Sequence, residues 1–136
     1  MAVIRHPSHG NCVACGEGNP AGLNLRFRRQ PDGSVRASAF CRKELTGYDG
    51  LLHGGVAALM LDSAMVSCLF AAGVTAYTAE MSLKYRSPVR IGRYAELTSR
   101  VKADHSPLYV VEAELLQDGE VRVRAEAKFM AGDIHV

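Results

Sequence analysis

The spacing of apolar residues changes period twice along the chain. Leu23, Leu25 and Phe27 alternate with polar neighbours, and Val35, Ala37 and Ala39 resume the alternation. A two-residue period is that of half-buried strands. Pro31-Asp32-Gly33 lies between them, so the two segments are expected to form a hairpin. From Leu51 to Ala72 the alternation gives way to a helical stretch, with Gly73 as its stop. Val56, Leu59, Met60, Leu61, Met65, Val66, Leu69 and Phe70 cover every face of that helix. A helix without a polar face is expected to be enclosed by other elements. Alternation then returns in Met81-Leu83-Tyr85, in Ala95-Leu97-Ser99-Val101-Ala103 and in Val111-Ala113-Leu115. Asp118-Gly119 is a strong hairpin turn. It leads into Val121, Val123, Ala125, Ala127 and Phe129, with Arg122, Arg124, Glu126 and Lys128 on the wetter face.

Two strands, one long helix and about four strands define an α+β domain. An antiparallel sheet of about five to six strands wrapped around one central helix buries that helix most economically. Such a sheet has exposed edges and leaves the helix partly uncovered, which favours pairing with a second copy. Residues 1–20 are turn-rich and form a lead-in, and residues 21–136 form the domain. No repeat or long linker divides the 136 residues, a length that fits one domain.

Composition narrows the function. The hydrophobic fraction of 48% supports a core without disulfides. A net charge of +2 with mixed signs argues against a dedicated nucleic-acid binder. The first ten residues carry Arg5, His6, Pro7 and His9 and no apolar run follows, so no secretory signal is expected. Cys12, Cys15, Cys41 and Cys68 are accordingly read as reduced thiols in the cytosol. The nearly uncharged stretch from Gly54 to Ala79 carries Asp62 near its middle and many small residues. It reads as a core helix and loop, and a membrane span is rejected.

Two features carry candidate chemistry. In Gly50-Leu51-Leu52-His53-Gly54-Gly55-Val56 a loop runs into the helix. Glycines there allow close approach to the backbone. The free N–H groups and the helix dipole suit a carbonyl oxygen gaining negative charge. The Gly55 N–H is the candidate donor, although the same glycines also suit a tight packing turn. Asp62 is the only formal charge between Gly54 and Ala79. A carboxylate among apolar residues needs a partner, a shifted pKa or a task, either as nucleophile or as general base on water. A bond to a neighbouring Ser or Thr would also account for it. His53 and Asp62 are about 13 Å apart along the helix and half a turn out of phase, whereas Gly55 and Asp62 share a face about 10 Å apart. If both ends of the helix serve one reaction, two chains must contribute.

His6, His9, Cys12 and Cys15 form a third cluster, spaced by three. The residue types suit zinc, but the spacing is not that of a zinc finger and no second pair follows downstream. A redox pair is an alternative. A turn with packed thiols and no metal is the expectation. Cys41 and Cys68 sit among apolar residues as small core side chains.

His53-Gly54-Gly55, the apolar helix and Asp62 nine residues after the histidine resemble the signature of hotdog-fold acyl-CoA thioesterases of the phenylacetate-pathway, PaaI-like group. Thr78-Ala79-Glu80-Met81-Ser82-Leu83-Lys84-Tyr85-Arg86-Ser87-Pro88 resembles the strand after the helix in that family. Cys12-Val13-Ala14-Cys15-Gly16 and Asn19-Pro20-Ala21-Gly22-Leu23 resemble the lead-in of one branch. The resemblance implies the hotdog fold and hydrolysis of an acyl-thioester to carboxylate and free coenzyme A. By the same resemblance the Gly55 N–H polarises the carbonyl, and Asp62 of a partner subunit attacks it or activates water. His53 holds the loop near the thioester, and Thr78 assists the attacking water. Some members carry Asn or Gln six residues before the histidine, where this chain has Gly47. That contact is then missing or falls to Tyr48 or Asp49.

Coenzyme A brings phosphate charges and is the only cofactor expected, as part of the substrate. Gly54 and the cations Arg86, Arg90 and Arg93 are candidates for holding it, as are Lys102, His105 and Ser106 at a strand end. Ordinary solvated charge would explain the same residues. Two further readings stand beside the enzyme: a non-catalytic acyl-CoA-binding hotdog domain and an enoyl-thioester hydratase. Hydratases of this fold place Asp and His closer together. The expected assembly is a homodimer or a tetramer of two dimers. The acyl group does not follow from spacing.

Overall fold

The computed structural model describes residues 2–132; the last four positions of the 21–136 stretch lie outside the described residues. The chain forms β1 (Arg28–Arg29), β2 (Val35–Phe40), α1 (Gly54–Ala71), β3 (Ala76–Tyr85), β4 (Tyr94–His105), β5 (Leu108–Gln117) and β6 (Glu120–Ala131). The six strands make one sheet in the order β1-β2-β4-β5-β6-β3, and every pair is antiparallel. The sheet curls around α1, which is the α+β architecture expected from the periodicity.

The inward positions match the alternation in most strands. Val111, Ala113, Leu115, Val123, Ala125, Ala127 and Phe129 are buried against Met60, Leu61, Ala64, Met65, Cys68 and Leu69 of α1. Each large buried side chain contributes roughly 1.5–3 kcal/mol of transfer free energy. β5 turns into β6 at Asp118 (φ 53) and Gly119 (φ 76), the two left-handed residues that a two-residue hairpin requires.

Two local expectations, the start of the first strand and the alternation in β4, are corrected. The first strand does not start at Leu23: only Arg28 and Arg29 pair with β2. Leu25 and Phe27 are buried, but Leu23 and Leu25 donate their N–H groups to Val13 and Ala14 of the lead-in at 2.9 Å. Asn24, at φ 48, interrupts the extended backbone. Within the Leu51–Ala72 stretch the helix runs from Gly54 to Ala71, because Leu51 and Leu52 bridge to Arg90 and Thr46. In β4 a register shift between Val101 and Ala103 breaks the alternation and leaves Val101 exposed, as a bulge does.

One sheet leaves α1 partly uncovered, as expected. By length and composition alone α1 is apolar enough to cross a membrane, yet the sheet buries its inner side as in a core helix. A sheet covers only one side. Ala58, Leu59, Asp62 and Val66 form a half-exposed stripe on the other. The lead-in covers part of the remaining helix, with His6 and His9 packed on the Phe70 ring at centroid distances of 4.6 and 4.9 Å. The helix is therefore not enclosed on every face within one chain.

Candidate active site

His53 caps α1 from an extended backbone (φ −63, ψ 134). Its N–H donates to the Leu45 carbonyl at 2.9 Å, and its own carbonyl accepts the Val56 and Ala57 N–H groups. The Gly55 N–H donates to His53 Nδ1 at 2.9 Å. A neutral imidazole that accepts at Nδ1 carries its proton on Nε2. The Gly55 amide expected to polarise a carbonyl is thus held by the histidine beside it. Among the described residues the Gly54 N–H meets no acceptor, so it is the open amide at the positive end of the helix.

Tyr85, at the end of β3, donates its hydroxyl to the Gly54 carbonyl at 2.7 Å and ties the helix start to the sheet edge. Two cavities flank this point. One of about 310 Å³ is bounded by Gly54, Ala57, Tyr85, Arg86 and Pro88. The other, about 420 Å³, is bounded by Thr46, Tyr48, His53 and Gly54. Gly47 packs on His53 so closely that a Cβ there would lie 3.0 Å from the His53 Cα. The missing side chain at position 47 makes room for the histidine, and Tyr48 stands 86% exposed beside it.

At mid-helix Asp62 lies on the half-exposed stripe. Thr78 of β3 donates its hydroxyl to Asp62 Oδ1 at 2.6 Å, immediately before a register shift between Thr78 and Glu80. The two residues are sixteen positions apart, and the sheet edge brings them together. One carboxylate oxygen is held, and among the described residues the other meets no donor. Asp62 is therefore a half-buried, oriented carboxylate, where the apolar helix pattern suggested a buried one. The Gly54–Gly55 amides of the same chain lie about 10 Å away along the helix.

The candidate cations divide into two groups. Arg86 and Arg90 are exposed near the helix start, and among the described residues neither has a carboxylate partner. Arg93 is bound by Asp118 at 2.8 Å. His105 and Ser106 sit at the opposite end of β4, about 35 Å from Arg93 along the strand, so one chain does not unite them with the arginines. The Ser106 N–H donates to Asp104 Oδ1 at 3.1 Å, and Lys102 pairs with Glu126.

Gln117 was not anticipated. It is buried at 1% exposure, and its amide binds the Arg90 N–H at 2.7 Å and the Arg90 carbonyl at 2.9 Å. That clamp fixes the β3–β4 connection at the Arg90 backbone. A glutamine at the last inward position of β5, before Asp118-Gly119, was the available signal.

The cysteines take no part in this site. Burial pushes the Cys41 and Cys68 thiols up, as for small core residues. Burial, then the neighbouring Cys12, pushes Cys15 up to about 11. In the lead-in His9 converges with Cys12 and Cys15, whereas His6 turns away to Ser8, Thr75 and Phe70.

Comparison with known proteins gives the family and the fold. The family model described as the thioesterase superfamily matches residues 49–127, more than half of the chain. A solved thioesterase superfamily protein superposes with a TM-score of 0.80 at 27% identity, over 85% of this chain and 60% of its own. The chain thus spans less than two thirds of that protein. The Escherichia coli PaaI protein, from the phenylacetic acid degradation operon, superposes at 0.75 and 15% identity over 82% of this chain and 81% of its own. A Streptococcus mutans protein bound to acetyl-CoA superposes at 0.74 and 19% identity, over 80% and 89%. No curated protein matches the sequence. The chain belongs to the thioesterase superfamily, a family of thioester hydrolases, and has the hotdog fold that it shares with PaaI.

Proposed function

We propose that the chain is a cytosolic acyl-CoA thioesterase that works as a homodimer at least, with each site built from the helix start of one subunit and Asp62 of the other. One observation carries the reading: the Asp62–Thr78 pair, oriented by a 2.6 Å bond, lies on the apolar stripe that the sheet leaves uncovered. A second copy on that stripe buries it and brings a helix N-terminus to the carboxylate. β3 is the long edge strand of the sheet, with unpaired backbone groups available to a second β3.

In this arrangement the thioester carbonyl docks at the Gly54–Gly55 end. The open Gly54 amide and the Gly55 amide, once released by His53, stabilise the oxygen as it gains charge. Asp62 of the partner subunit attacks the carbonyl or takes a proton from the attacking water. When Asp62 attacks, the C–S bond breaks to leave a mixed anhydride on Asp62, which water then hydrolyses to the free carboxylate. When Asp62 acts as base, water adds directly and the C–S bond breaks to the carboxylate. On either route the thiolate of coenzyme A takes up a proton. Arg86 and Arg90 at the mouth suit phosphate groups. The acetyl-CoA held by the Streptococcus mutans relative supports this substrate class. No cofactor beyond the substrate's coenzyme A is required.

Removing the Thr78 donor leaves the Asp62 carboxylate free to turn. Thr78→Ala is expected to lower kcat roughly tenfold with little change in KM, as befits a lost hydrogen bond to a charged group. Thr78→Ser is expected to keep most of the activity. Free-thiol release from aromatic and aliphatic acyl-CoAs checks both variants and tests the function itself.

One observation favours a second reading. The Gly55 amide is held by His53 Nδ1, as suits an acyl-CoA-binding domain that turns nothing over. Tight binding of acyl-CoA without thiol release would establish it.

A further inference from the structure

We propose that His9, Cys12 and Cys15 form a structural site for zinc or a similar divalent cation, which pins the N-terminal lead-in to α1. The expectation of a metal-free turn from the residue spacing is here set aside. A ring nitrogen of His9 and the two sulfurs all lie within 4.8 Å of one another, and His9 Nδ1 is 3.5 Å from Cys15 Sγ. A tetrahedral zinc with ordinary bond lengths holds nitrogen and sulfur about 3.6 Å apart, and two sulfurs about 3.8 Å apart. The observed edge already has that length.

The backbone explains the convergence. His9 donates to the His6 carbonyl and Cys12 to the His9 carbonyl, successive bonds of the 3-10 type that bring every third residue to one side. Gly16 closes the turn. A Cβ there would lie 2.4 Å from the Cys12 N and 2.6 Å from the Gly10 carbonyl oxygen, so the loop is wound tightly behind the sulfurs.

Cys12 also has its own donor: the Ala14 N–H points at its Sγ at 3.4 Å, while Ser63 of α1 lies beside Cys15. Outer donors of this kind orient and stabilise thiolate ligands. His6 is not a ligand: Ser8 engages its Nδ1, Thr75 engages its Nε2, and the ring stacks on Phe70. Two thiolates and one neutral imidazole balance a divalent charge, and one position remains for water. Because Ser63 follows Asp62 in α1, the cation would fix the lead-in against the turn of helix that carries the stripe.

The test uses the full chain and needs no substrate. Elemental analysis after dialysis is expected to find one zinc per chain. Titration with Co²⁺ is expected to give the visible bands of a tetrahedral ion and sulfur-to-cobalt charge-transfer absorption. Cys15→Ser is expected to weaken Zn²⁺ binding roughly 100-fold or more, while Cys41→Ser leaves it unchanged. The wild-type cobalt spectrum decides the matter even if the serine variant fails to fold. Absence of charge-transfer absorption overturns the proposal, as does Zn²⁺ binding that ignores Cys15→Ser. A Cys12–Cys15 disulfide in the freshly isolated protein also overturns it.

Discussion

Asp62→Asn is expected to lower kcat/KM for thiol release about 10²–10⁴-fold, the contribution of a positioned base or nucleophile. Asparagine keeps the shape of the side chain and can still accept the Thr78 hydroxyl, so the Asp62–Thr78 contact at 2.6 Å survives the change. What disappears is the charge and the basicity of the second oxygen. Asp62 is only half-buried, and neutralising it should leave stability nearly unchanged. Circular dichroism and thermal melting check that point beside the kinetics. An Asn variant with wild-type turnover would remove Asp62 from the reaction and leave its bond to Thr78 as a structural contact.

The second large effect should come from a residue remote from the reacting atoms. Leu59→Arg places a cation on the half-exposed stripe one turn before Asp62. In a lone chain the arginine reaches water at little cost. In a dimer that buries the stripe it becomes a bulky interior cation whose one nearby partner on the stripe is Asp62. It then both disrupts the interface, at a cost of several kcal/mol, and occupies the carboxylate. The variant is therefore expected to run as a folded monomer in light scattering and to lose about 100-fold or more of its activity. A monomer with full activity would show that one chain completes the site. An unchanged dimer would show that the subunits meet elsewhere.

Much of this arrangement is legible in the sequence because periodicity reports which side of an element is apolar. The helix, the four strands after it and the Asp118-Gly119 turn all follow from alternation and turn chemistry. Periodicity does not report what covers a face. Phe70 and Leu59 look alike in sequence and both are half-buried, yet His6 and His9 of the lead-in pack on Phe70, while Leu59 lies on the stripe that the sheet leaves uncovered. Leu25 and Phe27 are buried as alternation requires, but their backbone bonds go to the lead-in, which no local pattern reveals.

The site divides in the same way. The residue types at His53, Gly55, Asp62 and Thr78 are visible in the sequence, and the resemblance to thioesterases orders them. The capture of the Gly55 amide by His53 Nδ1 depends on one histidine rotamer. The separation of His105 and Ser106 from Arg86 and Arg90 depends on strand direction. Cys12 and Cys15 meet His9 because successive turns have a period of three, a period that does not match the spacing of zinc fingers.

In the proposed dimer the start of α1 in one subunit and the middle of α1 in the other build one site. Complementation between two inactive variants tests this. Asp62→Asn disables the mid-helix carboxylate. Gly55→Asp disables the helix start by placing a carboxylate where the oxyanion forms, at a helix start that favours acidic residues. Each variant alone should be inactive. If the chains of the two are mixed at random, half the dimers are hybrids, and each hybrid keeps one intact site. Thiol release should then return to about a quarter of the wild-type rate. No recovery from hybrids shown to have formed would mean that the helix start and Asp62 act within one chain, and the shared site would be wrong.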